Sequence, residues 1–230
     1  MNIALPRKTI KEQESEVYSM GGVAAIVMAA GKGTRMKSKY PKVLHQISGK
    51  PLVAHVVQSL KEAYIDDVTV VIGHGRELVE EALGSDVKYA YQLEQLGTGH
   101  AVLQAKGQVD QTKIVLVVSG DTPLLSPETL TALVDKHRKT GANITVLTAI
   151  PDNSAGYGRI VRNESGLIRE IVEEKDATPD IKEIKEINTG TYCFSGEFLF
   201  QALENVKPNN AQNEYYLTDV ISLSVQAGLL

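Results

Sequence analysis

Short, wholly apolar runs punctuate this chain, and between them the apolar residues fall at helical spacing. Ala24 to Ala30 is continuously apolar, holds the β-branched Ile26 and Val27, and is too short for an ordinary helix. That predicts a strand buried on both faces of a parallel sheet. Val68 to Ile72, the stretch around Val87 to Tyr91, and Ile114 to Val118 repeat the signature. A helix is expected from Glu77 to Leu83 and another leaving Gly97-Thr98. Ser126-Pro127 supplies a cap and a first-turn proline, Leu130, Leu133, Val134 and His137 share one helical face, and Gly141 ends that helix. Alternation of this kind predicts an α/β fold, a Rossmann-like, mostly parallel sheet with helices on both faces and ligands at the strands' carboxyl ends.

The pattern changes after Ile144 to Ala149. Arg159 to Glu173 alternates apolar and polar residues about Asn163-Glu164-Ser165-Gly166, which predicts a hairpin, and Lys182 to Phe194 reads as further strand. Residues 151–195 are thus expected to form a small β-rich lobe over the cleft, within one domain spanning 23–230. A further helix is expected from Asp219. Met1 to Gly22 is polar, lacks the apolar centre of a secretory signal and reads as a disordered extension or an over-long start, with Met20 a second candidate initiator.

The first strand opens into Gly31-Lys32-Gly33-Thr34-Arg35, with Lys42 just beyond Pro41. Glycines let a backbone approach an anion and point N–H groups at it, while a guanidinium and an ammonium complement phosphate oxygens. Two familiar glycine loops are excluded on residues. A P-loop needs a glycine where Ile26 stands, and a dinucleotide fingerprint needs one where Met36 stands and an acid where Gly73 and His74 stand. Taken alone, the loop also fits a plain glycine turn with exposed basic residues. Asp121 follows the Ile114 to Val118 strand through Ser119-Gly120, so its carboxylate is expected at the same sheet edge. One carboxylate with substrate phosphates suits Mg²⁺, and a turn cap before Pro123 is the competing role.

Composition narrows the classes. A hydrophobic content of 43% with 23% charged residues is that of a globular domain, and a net charge of -4 gives no nucleic-acid footprint. No segment predicts membrane insertion. The single cysteine, Cys193, excludes an internal disulfide, fits a reducing cytoplasm and lies in the apolar run TYCF, as expected of core. The histidines His45, His55, His74, His100 and His137 lack metal-ligand spacing and read as structural or surface residues. No Ser/His/Asp or Cys/His set for covalent catalysis is evident.

The blocks GxGTRM and PKVLH, QLEQLGTGHA (Gln92 to Ala101), SGDTPLL (Ser119 to Leu125), GYGRI (Gly156 to Ile160), IVEEKDAT (Ile171 to Thr178) and EINTG (Glu186 to Gly190) occur in one order. Together they resemble the N-terminal uridyltransferase (pyrophosphorylase) domain of the bacterial bifunctional N-acetylglucosamine-1-phosphate uridyltransferases, over about Val23 to the C-terminus. The resemblance implies the nucleotide-diphospho-sugar transferase type of fold and transfer of a uridylyl group from UTP to N-acetylglucosamine-1-phosphate with Mg²⁺. It implies backbone contacts to uridine and phosphate at Met28, Ala29, Ala30, Gly31 and Gly33, and cationic catalysis by Arg35 and Lys42. Gln92 would read the base, Gly97 and Thr98 would close over base and sugar, and Ser119, Gly120 and Asp121 would bind substrate, with Asp121 also the metal ligand. Gly158, Glu173 and Asn188 would hold the amino sugar. Singly, Gln92 also fits a loop residue, Gly158 a turn, Glu173 a solvated charge and Asn188 a strand-end cap; their joint order favours the binding roles.

Such chemistry needs no general base, because a phosphate monoester with a second pKa of about 6 is already an anion at neutral pH. The family's second magnesium ligand, an asparagine, lies further downstream than Leu230, and no hexapeptide repeat is present, so weak turnover, no acetyl transfer and a monomer in place of the family's trimer are expected. A nucleotidyltransferase for another sugar phosphate and a non-catalytic UDP-sugar binder are the alternatives.

Overall fold

The computed structural model describes residues 22–31, 33, 38 and 40–228. The strand β1 (Val23–Met28) occupies the middle of the sheet, with β4 (Val68–Ile72) on one side and β6 (Ile114–Ser119) on the other, both parallel to it. β5 (Lys88–Tyr91) continues the parallel run beyond β4. Two residues past the end of β1, Ala29 and Ala30 leave the ladder, so the apolar run is longer than the strand; the Ala29 N–H still reaches the Val71 carbonyl at 2.8 Å.

Period-two alternation in β1 explains why the run is apolar throughout. Ala24 and Ile26 join a core beneath α3 (Thr98–Gln104), α6 (Gly196–Leu203) and α7 (Asp219–Gln226). Ala25 and Val27 face the opposite core under α1 (Leu52–Glu62), α2 (Arg76–Leu83) and α4 (Pro127–Thr140). The Ser126 cap and Gly141 stop of α4 are as the sequence predicts: Ser126 Oγ accepts from the Thr129 N–H, and Gly141 is left-handed.

Sequence periodicity did not assign α1 or α6. Each starts without a side-chain cap, α1 behind Pro51 and a two-stranded ribbon of β2 (Gln46–Ile47) and β3 (Lys50–Pro51), and α6 directly off a strand. The expected strand from Lys182 is corrected. Thr178-Pro179 caps a short helix, α5 (Pro179–Lys182), and pairing begins only at Ile187. A capped turn there satisfies backbone groups that a charged Lys-Glu run could not bury in a sheet.

β10 (Ile187–Ser195) joins the parallel strands to the antiparallel part. Its Tyr192 to Ser195 pairs β6, while Ile187 pairs Arg159 at the start of β8 (Arg159–Arg162), which forms the expected hairpin with β9 (Ile168–Val172). On its other edge β10 pairs β7 (Ile144–Ala149), with an irregularity between Asn188 and Thr191. Among the described residues β7 pairs no second strand. The carboxyl ends of β1 and β6 open toward the segments that lead into β8 and out of β9.

Candidate active site

The β1 and β6 ends are held together first by backbone: the Gly120 N–H donates to the Met28 carbonyl at 2.9 Å. A Cβ on Gly120 would lie 3.1 Å from that oxygen, so a glycine suits the close strand-end approach. Beside this junction Lys42, on the short 3-10 turn Lys42–Leu44, pairs with Asp121. The Ser119 hydroxyl donates to the other Asp121 oxygen at 2.6 Å. Burial pushes the Asp121 carboxyl up, but the bonds from Lys42 and Ser119 outweigh it and hold the group below the usual carboxylate range. An ionised carboxylate is thus fixed at the ligand edge of the sheet.

Around that pair lies a cleft with two chambers. The first, about 440 Å³, is lined by Met28, Ala29, Ala30, Gly31 and Gly33 from the β1 loop, and by Gln92, Gly97 and Thr98 from the loop after β5. Gly33 has φ of 58°, and a Cβ there would meet the Lys42 Cβ at 2.7 Å, so glycine lets the loop fold against the lysine. The second chamber, about 360 Å³, is lined by Gly158, Glu173 and Asn188. Met28, Lys42, Thr98, Ser119 and Asp121 line both, so the ion pair stands at the junction. Gly120 shapes the floor through its backbone without lining either chamber. Arg35 lies outside the described residues.

Each chamber has its own fastening. Gln92 is buried, its side-chain nitrogen donating to the Gly97 carbonyl at 3.0 Å. The 96–99 loop is clamped to 215–217: the Tyr215 N–H donates to the Leu96 carbonyl, the Gly99 N–H to the Tyr215 carbonyl, and the Leu217 N–H to Thr98 Oγ1. In the second chamber the Asn188 amide donates to the Tyr192 hydroxyl at 2.6 Å, and its oxygen accepts from the Gly190 N–H. Asn188 N–H also donates to the Gly158 carbonyl at 2.9 Å. The buried Arg159 guanidinium pairs with Glu174 at 3.0 Å and donates to the Tyr157 carbonyl, pinning the loop that carries Gly158.

Glu173 is titrated upward by burial, and further by Asp176 and Asp219, with the Thr218 hydroxyl opposing. Asp219 is pushed up to about 6, by burial first and by Asp176 second. Sequence reading missed Gln95 and Glu214 in the first chamber and Tyr157, Tyr192, Leu217 and Thr218 in the second. The run Glu214-Tyr215-Tyr216-Leu217-Thr218 carried one usable signal, a polar and aromatic loop ahead of a helix.

Among the described residues no group of three or more His, Cys, Asp or Glu side chains is arranged to hold a metal ion. Among the described residues Asp121 is the one carboxylate at the cleft junction, which fits a cation shared with a ligand's own oxygens and not one caged by protein.

The MobA-like NTP transferase domain model matches residues 25–184. The chain belongs to that family. This NTP transferase domain is 56% identical over 205 residues to the bifunctional protein GlmU of Exiguobacterium sibiricum, covering 89% of the chain and 46% of the relative. It is 53% identical over 205 residues to the GlmU of Heliobacterium modesticaldum, covering 89% and 45%. The domain thus spans about half the length of the curated relatives it matches, in keeping with the resemblance drawn from its motifs. Among solved structures, a UDP-glucose pyrophosphorylase complexed with UDP-glucose superposes with a TM-score of 0.72 at 20% identity, covering 89% of this chain and 87% of that one. A putative glucose-1-phosphate thymidylyltransferase from Bacillus anthracis does so at 0.72 and 22%, covering 90% and 85%. Those two likenesses bear on the fold, and agree on the Rossmann-like nucleotidyltransferase architecture.

Proposed function

We propose that the domain transfers a uridylyl group from UTP to N-acetylglucosamine-1-phosphate, giving UDP-N-acetylglucosamine and pyrophosphate for cell-wall precursor synthesis in the cytoplasm. The observation that carries this reading is the two-chambered cleft with the Lys42–Asp121 pair on the shared wall. Two anions brought together there would meet where a cation and an ionised acid already face each other.

The first chamber offers glycine backbone and a buried amide, which suit a nucleotide; the second offers Asn188, Glu173 and Gly158, which suit hydroxyl and acetamido groups. The sugar phosphate attacks the α-phosphorus as an anion, so the protein's work is in-line placement and shielding of charge. Lys42 neutralises phosphate oxygens at the junction, and Arg35 is assigned the same task. Asp121, kept ionised by Lys42 and Ser119, would hold Mg²⁺, which when bound supplies charge neutralisation on the phosphates. No residue is needed as a base or as a nucleophile, because the sugar phosphate itself displaces pyrophosphate.

Pyrophosphate release tests the reading. With UTP, N-acetylglucosamine-1-phosphate and Mg²⁺, release is expected above that with CTP or glucose-1-phosphate and is expected to fall at least tenfold in Lys42→Ala. Equal release with another pair would move the assignment to a different sugar nucleotide. Binding of UDP-N-acetylglucosamine with no release at any enzyme concentration would make the domain a binder.

A further inference from the structure

Gly158 and Glu173 meet at the wall of the second chamber with no room for a side chain between them: a Cβ on Gly158 would lie 3.3 Å from a Glu173 carboxylate oxygen. What fixes that spacing lies one residue further on in each segment. Arg159 follows Gly158, Glu174 follows Glu173, and neither lines either chamber. The Arg159 guanidinium, 2% exposed, pairs with Glu174 Oε2 at 3.0 Å and donates to the Tyr157 carbonyl. Glu174 Oε2 also accepts the Gly156 N–H at 3.1 Å. One carboxylate oxygen therefore holds two points of the 156–159 turn against the outgoing end of β9. The Gly156 N–H first, and Arg159 after it, keep that carboxyl below the usual carboxylate range, so the tie is a charge-assisted one. The turn's backbone bonds run elsewhere: the Tyr157 N–H donates to the Ser154 carbonyl, and the Gly158 carbonyl accepts from Asn188 on β10.

We propose that Arg159 and Glu174 are positioning residues for the second chamber: their tie sets the gap between Gly158 and Glu173, and so the fit of a sugar there, without touching it. Arginine suits the task because its planar fork reaches a carbonyl and a carboxylate together, which an ammonium does less well. With the tie cut, the turn is free to move off Glu173, and the sugar keeps one wall where it had two. The first chamber is walled by the β1 loop and by the loop after β5, so a nucleotide held there is unaffected. The proposal rests on reading the second chamber as the sugar's.

Calorimetry tests this with two ligands, UDP-N-acetylglucosamine, which would occupy both chambers, and UTP, which would occupy the first, each with Mg²⁺. Each is titrated into the wild-type chain, into Arg159→Met and into Arg159→Lys. Arg159→Met is expected to bind UDP-N-acetylglucosamine about tenfold more weakly, the worth of one displaced hydrogen bond to the sugar, while its UTP affinity stays within about twofold. Arg159→Lys, which keeps a cation opposite Glu174, is expected to recover most of that loss. If both ligands weaken alike in Arg159→Met, or neither does, the tie serves the fold alone and the proposal fails while the reading of the chambers stands. A wild type that binds UTP and not UDP-N-acetylglucosamine overturns the sugar reading, and this proposal with it. Melting temperatures taken alongside show which variants are folded. Should Arg159→Met be unfolded, the ratio is read from Glu174→Ala, which cuts the tie at its partly exposed end and carries the same expectation.

Discussion

Asp219 and Asp121 are two aspartates that the fold treats in opposite ways. Asp121 is held ionised by Lys42 and Ser119, whereas Asp219 is pushed up to about 6 from its ordinary 3.8 by burial and by Asp176. For Asp219 the folded state binds the proton more tightly than the unfolded one, so stability falls as pH rises from about 4 to about 6 and is level above that. A shift of that size outweighs the ~0.3–1 kcal/mol that an acid in the first turn of a helix returns through the helix dipole. Asp219→Asn is therefore expected to stabilise the chain by ~1–2 kcal/mol at pH 7 and by nothing near pH 3.5, as read from urea unfolding at the two pH values. At Asp121 the expectation concerns binding. Asp121→Asn should leave the melting temperature within a few degrees, since the partly exposed Lys42 can turn to water, but should make UTP affinity insensitive to Mg²⁺ in calorimetry. An undiminished Mg²⁺ dependence would move the metal to other residues.

The loop at 96–99 and its partner at 214–217 are where local geometry governs the cleft. Gly97 has φ of 114°, and a Cβ there would lie 2.5 Å from the Tyr215 carbonyl oxygen. Gly97→Ala is expected to cost ~2–3 kcal/mol and to abolish detectable UTP binding, seen together in thermal melts with and without nucleotide. A variant that melts normally and still binds would show that the clamp is dispensable. What the sequence made legible divides along the same line. The β1 run, the Ser126 cap, the Gly141 stop and the hairpin about 163–166 were readable because each is decided by neighbours in the chain. The helix Leu52–Glu62 lacks a side-chain cap, and the Lys182 to Glu186 stretch is decided by the turn before it, so the first was missed and the second misassigned. Of the cleft, the glycines and Asp121 could be named from motifs, but Glu214 to Thr218 could not. Their place depends on backbone bonds to a loop more than a hundred residues earlier.

β10 binds the parallel strands and the hairpin into one sheet, which sets how the chain should unfold. Ile187 pairs the hairpin while Tyr192 to Ser195 pairs β6, so the two parts are joined through the one strand they share. Arg159 sits at that meeting point, buried and paired with Glu174. Arg159→Met leaves Glu174 with only Lys182 and the Gly156 N–H and takes the donor from the Tyr157 carbonyl, and is expected to cost about 1–3 kcal/mol. Far-ultraviolet circular dichroism and tyrosine fluorescence should shift together in urea, as one cooperative transition. Separated transitions would mean that the hairpin melts alone.

β7 carries Ile-Thr-Val-Leu-Thr-Ala, with no charge or proline, and among the described residues only β10 pairs with it as a strand. An uncovered ladder of this make-up is a template on which other chains can assemble, the situation that edge lysines and prolines ordinarily prevent. Concentrated solutions of the chain warmed short of melting should scatter light increasingly with time, and a lysine at the exposed end of the strand, Ala149→Lys, should suppress that turbidity. The same strand that completes the sheet would then set the ceiling on how concentrated the protein can be kept.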